Sequence, residues 1–299
     1  MTVLPKAGQT PDDLLREADT AMYRAKQSGR NRIAFFEDAM QSEVEGRLGL
    51  ENDLAQAIGT TQLEMLLQPQ VNRDGTPIGG EMLMRWTHPQ RGAVSPAVFI
   101  PVAEASGLIL VLGDWVVREG CLALLRLQRA GKPMPISVNV SPSQFRQSDF
   151  VQRVRTILGE TGAPASQLIF EVTEGLLIEN LDDTILRMRE LVAMGIRFSI
   201  DDFGTGYSSL AYLRQLPLYE LKIDRSFVMD TPTDAGSTAI VQSILAMAAH
   251  LGLHVVAEGV ETVEQAAFLR GAGCAAMQGY LFARPTRIDA WLQHELQPL

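Results

Sequence analysis

Cysteine is scarce in this chain: Cys121 and Cys274 are the only two among 299 residues. They lie far apart and lack metal-ligand spacing, so thiolate zinc chemistry is excluded and two buried thiols in a reducing compartment are expected. Long apolar runs are missing as well. Nothing approaches the roughly 18 consecutive apolar residues that span a bilayer. Lys6, Asp12 and Asp13 leave no room for an apolar signal core near the N-terminus. The sequence therefore reads as a soluble, cytoplasmic piece without membrane contact of its own, whatever anchors a longer parent protein. Positive charge is also in deficit. The 26 Lys and Arg face 35 Asp and Glu, a formal charge of -9, which argues against general nucleic-acid binding because that needs a basic footprint. An anionic ligand would need cations gathered locally.

What the chain does have is core. At 46 % hydrophobic over its length, it suits one barrel-sized domain plus a short extra segment. Its organising stretch is Phe198-Ser199-Ile200-Asp201-Asp202-Phe203-Gly204-Thr205-Gly206-Tyr207-Ser208-Ser209-Leu210. An apolar run ends in two adjacent carboxylates and enters a turn with two glycines, which reads as a buried strand delivering acids to a loop. Adjacent acids point opposite ways from an extended strand, so serving one site requires a break in the strand or a bridging cation. Alone, such a turn is more often a solvated loop or a helix cap than a catalytic element.

Residues from about Asp12 carry Leu14, Leu15, Ala18, Ala21, Met22 and Ala25 at helical spacing, followed by Gly29-Arg30-Asn31-Arg32 and a short apolar strand reaching Phe36. Met40–Ile58 reads as a charged linker helix. From Leu63 onward, apolar runs alternate with amphipathic helical patterns. The expected strands are Leu63–Pro69, Gly79–Trp86, Pro135–Val140, Leu168–Val172, Arg197–Ile200, Glu220–Ile223, His254–Ala257 and Cys274–Met277. The alternation predicts an α/β fold with a mostly parallel sheet. A closed (β/α)8 barrel is preferred over an open doubly wound sheet, because polar residues recur at the C-terminal end of nearly every run rather than at one switch point.

Those residues are Glu81, Asn139, Glu171, Glu174, Asp201, Asp202, Lys222, Asp224, Glu258, Glu261 and Gln278. Any single buried carboxylate among them reads equally as one capped by backbone donors or paired with Arg. Together the acids exceed their cationic partners. Such a cluster repels itself unless hard cations bind, and oxygen ligands without Cys or His select Mg²⁺ or Mn²⁺.

The same residues carry a family resemblance. Glu81-Met82-Leu83-Met84-Arg85-Trp86, Asn139-Val140-Ser141, Glu171-Val172-Thr173-Glu174, Asp201-Asp202-Phe203-Gly204-Thr205-Gly206, Leu221-Lys222-Ile223-Asp224, Ala257-Glu258-Gly259-Val260-Glu261 and Gln278-Gly279-Tyr280 make residues 48–299 resemble an EAL domain. Such a domain is a bacterial phosphodiesterase that linearises cyclic di-GMP to pGpG. Ala18 to Lys26 and Gly29-Arg30-Asn31 resemble the closing helix and turn of a GGDEF (diguanylate cyclase) domain. On that resemblance, residues 1–39 are the remnant of such a domain without its signature loop, and 40–58 the linker.

The resemblance implies a TIM-like barrel with one antiparallel strand, the first. It implies two Mg²⁺ or Mn²⁺ ions, with Ca²⁺ inhibitory. Glu81, Asn139, Glu171 and Asp201 would ligate one metal, and Asp201, Asp202 and Glu258 the other. Lys222 would hold the attacking water, and Glu174 would anchor the Asp202–Ser209 loop. Gln68, Arg85, Asp224, Glu261 and Gln278 would contact the ligand or its supports. Two cations neutralise an anionic phosphodiester, activate water and stabilise the leaving oxygen. A homodimer formed through surface helices is a further expectation.

Two residues depart from the family pattern: Met82 where Ala is usual, and Ala275 where an Asp is common. Met82 should face away from Glu81, whereas Ala275 should loosen a contact behind the site. Two other readings stand beside the phosphodiesterase: a catalytically silent cyclic di-GMP receptor, and an enolase-type proton abstraction with a Lys base facing Mg²⁺.

Overall fold

Strand β1 (Leu63–Asn72) folds back antiparallel onto β2 (Pro77–His88), pairing Gln68 with Glu81 and Gln70 with Gly79. The turn follows from its residues. Asn72 Oδ1 accepts hydrogen bonds from the backbone N–H groups of Asp74 and Thr76, both at 2.9 Å, and Gly75 takes the positive φ of 81° that the reversal needs. This computed structural model describes residues 10–27, 33, 35–177, 180–206 and 213–293.

After the hairpin the chain winds in one direction. Strands β4 (Ile136–Asn139), β5 (Leu168–Thr173), β6 (Arg197–Phe203), β7 (Glu220–Ile223) and β8 (His254–Ala257) lie parallel in sequence order, starting from β2. Strand β9 (Ala276–Met277) follows β8 in parallel and pairs antiparallel with β1. Because β1 also pairs with β2, the ring closes, and short β3 (Gly92–Val94) hangs outside it on β2. This is the expected barrel, with β1 as its one antiparallel strand.

The crossover helices seal the outer wall. Helix α4 (Ile109–Arg129) buries Leu112, Val116, Val117, Cys121, Leu124 and Leu127, a stripe at helical spacing. Gly120 lets it approach β4 closely, since a Cβ there would lie 2.7 Å from Val138 Cγ1. Met82 joins this outer core, as its neighbour position to Glu81 requires.

Helix α2 (Asp38–Ala57), expected over Met40–Ile58, docks on the wall beside β2. Leu50, Leu54 and Ala57 pack in a smaller cluster with Leu63, Trp86, Phe99 and Leu112. Asp53 Oδ2 meets His88 Nε2 at 3.4 Å and Arg91 Nε at 3.3 Å. Helix α1 (Pro11–Gln27) precedes it. The strand expected before Phe36 does not form among the described residues, where 33 and 35–37 are irregular; Gly29-Arg30-Asn31-Arg32 lies outside them. Among described residues, no helix is long and apolar enough to cross a membrane.

Candidate active site

Alternate residues of a barrel strand face the interior, so the polar strand ends gather in one layer at the C-terminal mouth. At its centre is Lys222 of β7, 1 % exposed. Its Nζ lies 2.6 Å from Glu258 Oε1, 2.9 Å from Glu171 Oε2, 3.1 Å from Asp201 Oδ1 and 3.3 Å from Glu81 Oε2. Burial would lower the ammonium's pKa, yet Asp201, Glu171, Glu258 and Glu81 together hold it well above the ordinary lysine value.

The paired aspartates reach the site because β6 breaks there. Its register against β7 shifts between Ile200 and Phe203, and Asp202 sits at φ 53°, in the left-handed region. The bulge re-aims the second acid, so that Asp201, Asp202 and Glu258 bring carboxylate oxygens within 4.8 Å of one another. Crowding has an electrostatic price. Burial, Asp201 and Asp224 push Asp202 up to about 6. Burial, reinforced by Asp201 and Glu81 against the pull of Lys222, pushes Glu258 up to about 8. Glu171 is driven well above the carboxylate range by burial and then by Glu81. Glu81 is instead lowered from its ordinary value: burial works the other way, but the Lys222 charge and donation from Gln278 prevail.

Amide side chains orient the acids. Asn139 Nδ2 donates to Glu81 Oε1 at 2.9 Å, which leaves the Asn139 carbonyl oxygen as the end available to a cation. Gln278 Nε2 donates to Glu81 Oε2 at 2.7 Å, and Gln68 Nε2 to the Ala283 carbonyl at 3.1 Å. Glu174 Oε1 accepts from the Gly204 backbone N–H at 2.8 Å; Tyr207, Ser208 and Ser209 of the same loop lie outside the described residues.

A cavity of about 230 Å³ opens above this layer, lined by Gln68, Glu81, Asp201, Lys222, Glu258, Glu261 and Gln278. Sequence reasoning missed Arg225 and Tyr280 on its rim. Arg225 directly follows Asp224 beyond β7, and its place after a polar strand end is the signal that marks it. It pairs with Glu261 at 2.9 Å.

Arg85 and Asn139 line a neighbouring, more apolar cavity of about 290 Å³ between β2, α3 (Pro96–Ser106) and α4. Arg85 Nη1 donates to the Met84 carbonyl at 2.8 Å. Asp224 does not line the first cavity. It caps the helix Arg225–Met229, its Oδ1 accepting from Ser226 N at 3.0 Å. The expectation for Ala275 is corrected: it is exposed and precedes β9, about 10 Å of extended chain below Gln278, so it cannot loosen a contact at the site.

The layer fits divalent cations. Glu81, Glu171, Asp201, Asp202 and Glu258 confront one ammonium, and Glu171 Oε1 is buried without a hydrogen-bond partner. The donors are all oxygen, the set that hard cations prefer.

The chain is similar to known proteins. A profile for the EAL domain matches residues 51–285. The chain is 44 % identical over 287 residues to the bifunctional diguanylate cyclase/cyclic di-GMP phosphodiesterase MucR of Pseudomonas aeruginosa, covering 95 % of this chain and 42 % of that protein. It is 44 % identical over 292 residues to the cyclic di-GMP phosphodiesterase NbdA of the same organism, covering 97 % of this chain and 37 % of that one. The chain thus spans about two fifths of these relatives. The solved PaMucR phosphodiesterase, in complex with c-di-GMP, superposes with a TM-score of 0.77 at 43 % identity, covering 81 % of this chain and 99 % of that one. With its barrel, its ring of acids around Lys222 and a matched region of this extent, the chain belongs to the EAL domain family.

Proposed function

We propose that this chain is a cyclic di-GMP phosphodiesterase, opening one phosphodiester of the cyclic dinucleotide with water to give linear pGpG. The observation that carries the reading is Lys222 Nζ held among the carboxylates of Glu81, Glu171, Asp201 and Glu258 at the barrel mouth. Family membership and the names of its relatives support it.

Glu81, Asn139, Glu171 and Asp201 are proposed to hold one divalent cation, and Asp201, Asp202 and Glu258 the second. When bound, such ions offset the charge of the phosphodiester and increase the acidity of water. The chain's own residues supply position. Lys222 directs an N–H at the attacking water, whose oxygen forms the new bond to phosphorus as the bond to the ribose 3′ oxygen breaks; that oxygen leaves with a proton as a hydroxyl. Glu174 fixes the turn that carries Asp202. Gln68, Glu261 and Gln278 line the floor and rim where the ligand rests. Arg85 offers its remaining donors to a phosphate oxygen, and the apolar cavity beside it suits the flat face of a base.

The same reading assigns α1 as the closing helix of a GGDEF domain whose remainder precedes this segment in a longer protein, with α2 linking it to the barrel. A homodimer remains part of the proposal, to be measured by sedimentation with and without the dinucleotide.

The test is incubation with cyclic di-GMP and Mn²⁺ or Mg²⁺, with products separated by chromatography. Conversion to pGpG is expected. Ca²⁺ should support binding without turnover, because the larger ion takes more ligands in a looser geometry. Binding with no product in any metal would make the protein a receptor, and failure to bind would return the enolase-type reading.

A further inference from the structure

Gln70 stands on β1 across from Gly79 of β2, one layer below the acids, and is 5 % exposed. Nothing in the chemistry above uses it. Its Nε2 donates to Gln278 Oε1 at 3.0 Å. Gln278 Nε2 donates in turn to Glu81 Oε2 at 2.7 Å and to Gln68 Oε1 at 3.2 Å, and Gln68 Nε2 donates to the Ala283 carbonyl at 3.1 Å.

The direction of this chain of amides is determined at its ends. A backbone carbonyl and an ionised carboxylate only accept. The Ala283 carbonyl therefore turns the nitrogen of Gln68 toward itself and its oxygen toward Gln278, and the Glu81 carboxylate demands the Gln278 nitrogen. One arrangement satisfies both, and it leaves Gln278 Oε1 needing a donor from the layer beneath. Gln70 supplies it. Gly79 makes the room: a Cβ there would stand 3.0 Å from Gln70 Oε1 and 3.4 Å from the Pro135 carbonyl.

We propose that Gln70 is a positioning residue for Glu81, acting through the Gln278 amide to hold that carboxylate ready for a divalent cation. The proposal rests on the metal-dependent reading above. Without the Gln70 N–H, Gln278 Oε1 becomes a buried acceptor with no partner. A half-turn of the amide in place is closed, because it would set Oε1 against the Glu81 carboxylate and Gln68 Oε1; its relief is a shift of the whole Gln278 side chain toward another donor, which draws Nε2 away from Glu81. Glu81 then loses a 2.7 Å donor and with it the constraint on its orientation toward Asn139.

Gln70→Met tests this, because it keeps length and approximate volume but has no donor. Calorimetric titration of the whole chain with Mn²⁺ is expected to show affinity about 10-fold or more below wild type, the usual scale for supports behind a ligand, with the melting temperature lowered by no more than a few degrees. In a Gln278→Met background the same substitution is expected to cost nothing further, since its path runs through that amide. A packing role would subtract equally in both backgrounds. Equal losses, or a single variant within about twofold of wild type, would overturn the proposal. If the wild type binds no Mn²⁺ at all, the metal-dependent reading itself fails and takes this proposal with it. Should Gln70→Met not fold, Gln70→Asn, whose amide falls one carbon short of Gln278, is titrated instead, with the same loss expected.

Discussion

Glu174 Oε1 accepts a 2.8 Å hydrogen bond from the backbone N–H of Gly204, tying the end of β5 to the turn that follows the paired aspartates. Gly204 holds φ 100°, and a Cβ on Gly206 would collide with Glu174 Oε2. The strut and the bare backbone it braces belong together.

Glu174→Ala should therefore lower turnover by about 10- to 100-fold, as losses behind a ligand do, while divalent-cation affinity stays near wild type. Gly206→Ala should act in the same direction by pushing the strut aside. Calorimetry beside steady-state kinetics separates the terms. Collapse of cation affinity in Glu174→Ala, with turnover recovering at saturating metal, would make Glu174 a ligand instead.

Much of the architecture was legible in the sequence because a barrel writes itself as repetition. Polar residues recur at or just beyond the C-terminal ends of the parallel strands, Asn139, Glu171, Asp201, Lys222, Glu258 and Gln278 among them, and the runs Glu220–Ile223 and His254–Ala257 match the observed strands residue for residue. Elements without periodicity were not legible. Strand β3 is three residues long, and the helix Pro142–Phe145 four, too short for either pattern to register. The convergence of Glu81, Asn139, Glu171, Asp201 and Lys222 could be inferred from strand-end positions, but the hydrogen-bond order among them could not. Gln70 escaped notice because β1 runs antiparallel, so a residue near its C-terminal end lies below the site rather than at the mouth. Ala275 was misplaced for the complementary reason: nearness to Gln278 in sequence hid three residues of extended chain.

Glu220 supplies a pH test of the barrel interior. Its carboxyl is pushed above the ordinary glutamate range by burial, more than the Ser199 hydroxyl and Lys222 pull it down, and its Oε1 is buried without a hydrogen-bond partner. A folded pKa above the unfolded one means that the native state binds the proton more tightly, so stability falls as pH rises from about 4.5. Glu220→Gln should melt above wild type near pH 8, with the gap closing toward about pH 4. Melting curves across that range decide it. A variant less stable at every pH would mean that the charge on Glu220 is itself stabilising.

The two thiols should be inert in the folded protein. Cys274 is fully buried and burial pushes its pKa up to about 11; burial raises Cys121 on α4 as well. The thiolate is the nucleophile, so iodoacetamide at about pH 8 should label neither residue until denaturant is added. Peptide mass spectrometry reads the sites. Fast native labelling at Cys274 would show that the start of β9 opens, which a closed barrel does not allow.

Lys222 and divalent cations should substitute for each other in holding the mouth together. The ammonium lies within 3.3 Å of Glu81, Glu171, Asp201 and Glu258, and removing one partner of a buried charge pair typically costs about 3–5 kcal/mol because the other is left uncompensated. Lys222→Met should therefore melt well below wild type in chelator. A ligand that binds only the native state stabilises it by mass action, and Mn²⁺ faces a more negative site in the variant, so its addition should raise the melting temperature further there than in wild type. The metal-loaded variant should still bind cyclic di-GMP, yet turn it over at least about 100-fold more slowly, since the group that directs the attacking water is gone. Thermal melts with and without Mn²⁺, dinucleotide binding and product formation make the comparison. An equal Mn²⁺ shift in both proteins would mean that the carboxylates around Lys222 are not the cation ligands, and undiminished turnover would remove Lys222 from the chemistry.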